Sequence, residues 1–230
     1  MFKKIGICLL VFLSSVLLIF TLYVNDNYKA NDQAMMIYKE NNKSLIFDSD
    51  NEELAFIIYP GGKVDEKAYI QLAKLLNEEG FYSQLVAFPF DIGFFTINKA
   101  KEVIDQHPEI KEWVIIGHSL GGVTASEYVY NSPEKIKSLI FLASYPTKNL
   151  KNLDISSLYI RGENDQVLNL ESYKESQKEK TKDFEEVIIK GGNHSGFADY
   201  RQQKGDGKNE IGYKKQQEET VVEILKFINK

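Results

Sequence analysis

Trp113-Val114-Ile115-Ile116-Gly117-His118-Ser119-Leu120-Gly121-Gly122 decides how the rest of the chain is read. Trp113 to Ile116 is a short apolar run, β-branched at its end, and predicts a buried strand. Gly117 to Gly121 fits G-x-S-x-G, and Val123 to Tyr130 predicts a helix. Strand, tight turn and helix in succession are the context of a nucleophile elbow, in which a serine sits on strained backbone at the end of a strand. The glycines answer a steric need, because side chains beside the serine would collide with the strand or the helix. The following helix turns its free N–H groups and positive dipole end toward the same place. A phosphate-binding loop has similar glycine spacing, but Val123-Thr124 stands where Lys-Ser/Thr is required.

The chain around this stretch has 230 residues, a net charge of −5 and a single Cys. Its length suits one domain with a full core. Mild acidity argues against a nucleic-acid partner, which wants a basic face, and one Cys excludes an internal disulfide. Lys3 and Lys4 precede Ile5 to Val24, a run without charge. At about 1.5 Å per residue a helix of that length spans about 30 Å, the hydrocarbon thickness of a bilayer. The run exceeds the apolar core of a signal peptide, and Tyr28-Lys29-Ala30 lacks the small-x-small pattern of a cleavage site. The reading is therefore an uncleaved single-pass membrane anchor over residues 1–24 with the following domain outside the cytoplasm; a cleaved signal peptide and a secreted protein are the alternative. Residues 25–34 read as a polar linker and 35–230 as the folded domain.

Within that domain, Met35 to Tyr38 and Ser44 to Phe47 read as two short strands, a hairpin at the sheet edge. Leu54 to Tyr59 is a strand stopped by Pro60-Gly61-Gly62-Lys63. Asp65 to Glu79 is an amphipathic helix ended by Gly80. Phe81 to Phe88 is a strand and Ile97 to His107 a helix before Pro108. Beyond the elbow come strands at Ser138 to Ala143, Ser157 to Ile160 and Phe184 to Ile189, a polar helix at Leu170 to Lys180, and a closing helix at Thr220 to Ile228. Alternation of strand and helix implies an α/β fold, a mostly parallel sheet with helices on both faces. Sites in such sheets lie at the carboxyl ends of the strands. Ser144 to Ser156 leave room for a loop and too little for a helical lid domain. The pocket is thus expected to be open, rimmed by Gly61-Gly62-Lys63, Phe90 to Thr96 and Tyr145-Pro146, with Phe90, Ile92, Phe94 and Phe95 as an apolar wall and Lys63 as one cation.

A serine hydroxyl needs a base within reach. Of 3 histidines, His107 reads as a surface residue at a helix end, and His118 leaves the elbow in another direction from Ser119. His194 follows the last strand in Gly191-Gly192-Asn193-His194, where a base would approach. The acid that orients it belongs between Ser119 and His194 in the chain, after a strand. Asp154 and Asp183 precede their strands; Asp165 follows one, with Glu163 as its close rival and a helix N-cap as its plain structural role. Two backbone donors for a developing oxyanion are expected from Leu120 and from Gly62 or Lys63.

Gly117-His118-Ser119-Leu120-Gly121-Gly122, Asp165 and His194 together resemble the α/β-hydrolase superfamily. Tyr59-Pro60-Gly61-Gly62-Lys63-Val64-Asp65, Ala143-Ser144-Tyr145-Pro146 and Gly191-Gly192-Asn193-His194 together resemble one bacterial subfamily that is loosely similar to dienelactone hydrolases; Ser119 stands where those enzymes use cysteine, so their substrate does not carry over. The resemblance covers Glu53 to the C-terminus. It implies an α/β-hydrolase fold and serine-hydrolase chemistry on an ester or related acyl bond, with no cofactor; the expected partner is a small-molecule acyl substrate, and no metal site is expected. A non-catalytic binding protein, or an acyltransferase using the same residues, is the alternative. Gly205-Asp206-Gly207 also resembles the subfamily's tail; a solvated turn is its default reading.

Overall fold

The computed structural model describes residues 27–87 and 97–230, together with Phe12, Ser14 and Ser15. Its sheet has strands β1 (Ile46–Phe47), β2 (Leu54–Tyr59), β3 (Tyr82–Leu85), β4 (Glu112–His118), β5 (Ile136–Leu142), β6 (Ser156–Gly162) and β7 (Asp183–Ile189), in the order β1-β3-β2-β4-β5-β6-β7. All pairs are parallel except β1 with β3. Helices are α1 (Asp32–Glu40), α2 (Ile70–Glu78), α3 (Lys99–Gln106), α4 (Leu120–Asn131), α5 (Leu170–Glu175) and α6 (Tyr213–Ile228).

Period-two alternation in the central strands divides the core between the two faces of the sheet. Phe56, Ile58, Val114, Ile116, Ile140 and Ile160 pack with residues of α1, α2 and α6. Ala55, Ile57, Tyr59, Trp113, Ile115, Leu139 and Phe141 pack with residues of α3 and α4. Both faces are covered, which is why β2 is buried at every residue and reads as an unbroken apolar run rather than an alternating one.

Several sequence expectations are corrected. Met35 to Tyr38 is not a strand but part of α1, capped by the Asn31 side chain, which accepts from the Ala34 N–H at 3.0 Å. Ala34 and Ile37 are the buried residues there and Met36 is exposed, a helical spacing that the short apolar run disguised. The hairpin is therefore absent, and the edge strand is only Ile46–Phe47. The helix expected from Asp65 begins as a 3₁₀ turn over Glu66–Tyr69 before α2. The polar helix after Leu170 likewise breaks into a 3₁₀ turn over Ser176–Glu179. The last helix starts at Tyr213, well before Thr220. Residues 143–155, between β5 and β6, contain no helix, as their length led us to expect. Among the described residues no helix is long and apolar enough to cross a membrane. The anchor expected over residues 5–24 lies outside them apart from Phe12, Ser14 and Ser15, as do Phe90, Ile92, Phe94 and Phe95.

The segment just before α1 lies along the domain. The Tyr28 N–H donates to the Lys63 carbonyl at 2.7 Å and the Asp65 N–H donates to the Tyr28 carbonyl at 3.0 Å. Ala30 bridges antiparallel to Tyr200, and the Asn31 N–H donates to the Asp199 carbonyl at 2.9 Å.

Candidate active site

β4 ends at His118 and α4 begins at Leu120, leaving Ser119 alone at the corner with φ 50° and ψ −121°. That left-handed backbone is unfavourable for a side-chain-bearing residue. Three bonds hold it: the Ser119 N–H donates to the Leu142 carbonyl at 2.9 Å, and its own carbonyl accepts from the Gly122 N–H at 3.0 Å and the Ser144 hydroxyl at 2.6 Å. The glycines are needed for close approach. A Cβ on Gly117 would lie 2.4 Å from the Gly122 Cα, and one on Gly121 would lie 2.3 Å from the Pro60 carbonyl oxygen. α4 can therefore start directly against the loop that leaves β2.

Asp165 and His194 come from the loops after β6 and β7. His194 Nδ1 stands 3.0 Å from Asp165 Oδ2, and both side chains are 1% exposed. The other carboxylate oxygen, Oδ1, accepts from the N–H groups of Val167 and Leu168, each at 2.9 Å. Asp165 is not the helix N-cap expected as its plain role, since Asn169 caps α5; its Oδ1 instead braces the loop that leads from β6 to that helix. Glu163 turns elsewhere, accepting from the Gly191 N–H at 2.9 Å. His194 Nε2 is buried and has no hydrogen-bond partner among the described residues. The His194 ring stands 4.7 Å from that of His118, the neighbour of Ser119.

The turn after β2 approaches the elbow from the other side. A Cβ on Gly62 would lie 2.8 Å from Leu120 Cδ2, so Gly62 and Leu120 are in contact. Lys63 has φ 59°. The Gly61 N–H is already used, donating to the Tyr69 hydroxyl at 2.9 Å.

The His118 side chain is buried among Tyr69, His194 and Phe197, and these surroundings define its chemistry. Its Nε2 lies 3.2 Å from the His194 carbonyl oxygen, which can only accept, so Nε2 carries the hydrogen. Its Nδ1 lies 2.6 Å from the Tyr69 hydroxyl. Burial, and then the neighbouring His194, hold His118 well below the usual histidine range. The neutral ring therefore accepts from Tyr69, and one directed chain runs from the Gly61 N–H through Tyr69 and His118 to the His194 carbonyl. Burial pushes the Tyr69 hydroxyl up from its ordinary pKa, which keeps it a donor. His107, expected at the surface, is half-buried against Tyr82 and Trp113, with Nε2 3.0 Å from the Tyr82 hydroxyl.

Asp206 is the residue that sequence reasoning missed. The turn expected to be solvated is buried at Asp206 and Gly207. Asp206 Oδ1 accepts from the His194 N–H at 3.3 Å and the Gly207 N–H at 2.8 Å; Oδ2 accepts from the Ser195 N–H at 2.8 Å and the Ser195 hydroxyl at 2.6 Å. Gly207 faces the Asp165 loop so closely that a Cβ would lie 1.9 Å from the Asn164 carbonyl oxygen, while its own carbonyl accepts from Asn193 Nδ2 at 2.8 Å. The 205–207 turn thus ties together the loops that carry Asp165 and His194. Its signals in the sequence were the aspartate between two glycines and the resemblance of that turn to the subfamily's tail.

Among the described residues no group of His, Cys, Asp and Glu side chains is arranged to hold a metal ion. Solved structures share this architecture at low identity. A predicted CIB-like hydrolase from Thermoplasma acidophilum aligns with a TM-score of 0.59 and 15% identity, covering 80% of this chain and 91% of that one. Est1E from Butyrivibrio proteoclasticus, solved with ferulic acid bound, aligns with a TM-score of 0.59 and 17% identity, covering 80% and 95%. The carboxylesterase CesB (YbfK) from Bacillus subtilis aligns with a TM-score of 0.52 and 11% identity, covering 72% and 93%. No curated protein sequence matches the chain. Residues 55–218, which run from β2 into α6 and include the elbow, Asp165, His194 and Asp206, match the alpha/beta hydrolase family, and the chain belongs to it.

Proposed function

We propose that this protein is a membrane-anchored serine hydrolase that cleaves an ester or related acyl bond of a small molecule. The observation that carries the reading is the buried His194–Asp165 pair at 3.0 Å, with Nε2 unpartnered among the described residues, beside the strained corner that presents Ser119. Ser119 Oγ attacks the acyl carbonyl while His194 Nε2 takes the hydroxyl proton. Asp165 holds the Nδ1–H and stabilises the imidazolium. The tetrahedral oxyanion faces the Leu120 N–H and a second donor from the Gly62-Lys63 turn. His194 then returns the proton to the leaving oxygen, and water repeats the sequence on the acyl-enzyme to release the acid. The esterases among the structural neighbours support an ester as substrate.

A fluorophosphonate probe tests the reading directly. Labelling of the wild type, lost in Ser119→Ala and reduced in His194→Ala, is expected. Hydrolysis of a soluble ester by Ser119→Ala, His194→Ala or Asp165→Ala is expected to fall by about 10³-fold or more with the far-UV spectrum unchanged, and non-additively when combined. Full activity in Ser119→Ala would overturn the assignment, and an absence of labelling with an intact fold would favour a non-catalytic binding protein. Analysis of products with an added alcohol separates hydrolysis from acyl transfer. The anchor reading rests on Ile5 to Val24. It is tested by adding protease to intact spheroplasts, where digestion of the domain is expected; protection until lysis would reject an extracytoplasmic domain.

A further inference from the structure

The strap before α1 and the loop after Tyr200 enclose a groove of about 610 Å³ lined by Lys29, Arg201 and Lys204, with Asp32 as the one carboxylate on its wall among the described residues. A chain with a net charge of −5 here gathers cations. All three are exposed, and none forms an ion pair among the described residues. The two walls are fastened to each other: the Lys204 N–H donates to the Tyr28 hydroxyl at 3.2 Å, and the Tyr28 and Tyr200 rings stand 5.5 Å apart. The groove is therefore a fixed feature of the domain rather than two loops that happen to lie near each other.

Its place in the chain indicates its partner. Val24, the end of the uncharged run, lies only a few residues before Asn27, a gap that an extended chain crosses in about 10 Å. Asn27 and Tyr28 line the groove. Whatever depth the run takes in a bilayer, the groove must lie close to the headgroups where the run emerges. Cations just outside a spanning segment meet the negative surface potential of anionic lipids, and each strengthens association by about fivefold. We propose that Lys29, Arg201 and Lys204 form a docking surface for the anionic headgroups of the bilayer that the N-terminal segment spans. The proposal rests on the anchor reading above.

Docking would fix the orientation of the site. Tyr28 pairs with Lys63 and Val64, at the carboxyl end of β2, the sheet edge that also carries Ser119 and His194. Headgroup contact at the groove would hold that edge beside the membrane surface rather than leave it to swing on a free tether.

The test uses the full chain in nanodiscs of phosphatidylcholine alone or with phosphatidylglycerol added. Amide hydrogen exchange is followed over residues 27–33 and 200–205. The expected result is exchange slower by about fivefold or more in the anionic discs, reversed by high salt and absent in the combined variant Lys29→Gln, Arg201→Gln, Lys204→Gln. That variant should hydrolyse a soluble ester at the wild-type rate in phosphatidylcholine discs, which shows it folded. Equal exchange in both kinds of disc, with the chain retained in each, would overturn the docking surface while leaving the anchor intact. A chain that washes off phosphatidylcholine discs in high salt has no spanning segment, and the proposal falls with it.

Discussion

At the scale of single residues, a carboxylate and a neutral histidine set the geometry around Ser119. Asp206 receives the N–H groups of His194 and Ser195, so it fixes the main chain from which the His194 ring projects. A catalytic group misplaced by about 1 Å costs about 10²-fold. Asp206→Ala is expected to lower kcat for a soluble ester by about that factor, with KM changed little. Asp206→Asn should recover part of it, and a kcat within about twofold of wild type in Asp206→Ala would remove the positioning role. His118 leads to a pH prediction. Its folded pKa is depressed, whereas in the unfolded chain it titrates near its ordinary value of about 6.5. Below that value the unfolded chain takes up a proton that the folded chain refuses. Stability is therefore retained above about pH 6.5 and lost as the pH falls further, by up to about 1.4 kcal/mol per pH unit for this one group. Urea unfolding at neutral and mildly acid pH should show a smaller acid loss in His118→Gln than in wild type. Equal losses would mean that His118 titrates normally in the folded chain.

At the scale of elements, the strap and α6 carry most of what local pattern did not reveal. Residues 27–31 contain no apolar period, yet they join the turn after β2 to the loop after His194 through Tyr28, Ala30 and Asn31. Tyr28→Pro removes the N–H that reaches the Lys63 carbonyl and keeps a ring of moderate size. It is expected to reduce kcat by about tenfold through the Gly62-Lys63 turn, with a smaller effect on KM; an unchanged kcat would show that this turn holds its shape without the strap. α6 begins with polar residues, and Gln216 and Gln217 are fully buried. Gln216 exchanges two bonds with the Asn193 backbone, Nε2 to the carbonyl at 2.8 Å and Oε1 from the N–H at 3.0 Å. A helix turn that serves a loop in this way shows no apolar stripe, and for that reason the expected start fell at Thr220. The strand expected at Met35 failed for a related reason. A few apolar residues in a row fit either period, and Asn31 capping with Ala34 burial decided for the helix.

At the scale of the whole molecule, the parallel sheet brings the carboxyl ends of β2, β4, β6 and β7 to one edge, where the Gly62 turn, Ser119, Asp165 and His194 converge. Residues 143–155 cross that edge without a helix, and Leu120, beside Ser119, is 42% exposed. A site with no lid between β5 and β6 has nothing there for a lipid interface to open. Hydrolysis is expected to favour short acyl esters, with kcat/KM falling as the acyl chain lengthens and no rate rise at the micelle threshold of a long-chain substrate. A p-nitrophenyl ester series measured through that threshold checks this. A preference for the long chains, or a sharp rise, would contradict an open pocket.

The sequence by itself determined the alternation of strand and helix, the tight turn at Ser119, and the choice of Asp165 and His194 as side chains that meet, because each rests on local pattern or on chain order within a parallel sheet. It also marked Gly205-Asp206-Gly207 as unusual. Only the tertiary structure decided that Asp206 is buried under His194, that Tyr69 and His118 link the Gly61 turn to the His194 carbonyl, and that Tyr28 lies along Lys63. These are contacts between residues far apart in the chain. A polar side chain reads the same in sequence whether its partner is water or a buried N–H, and only packing brings the partner within reach.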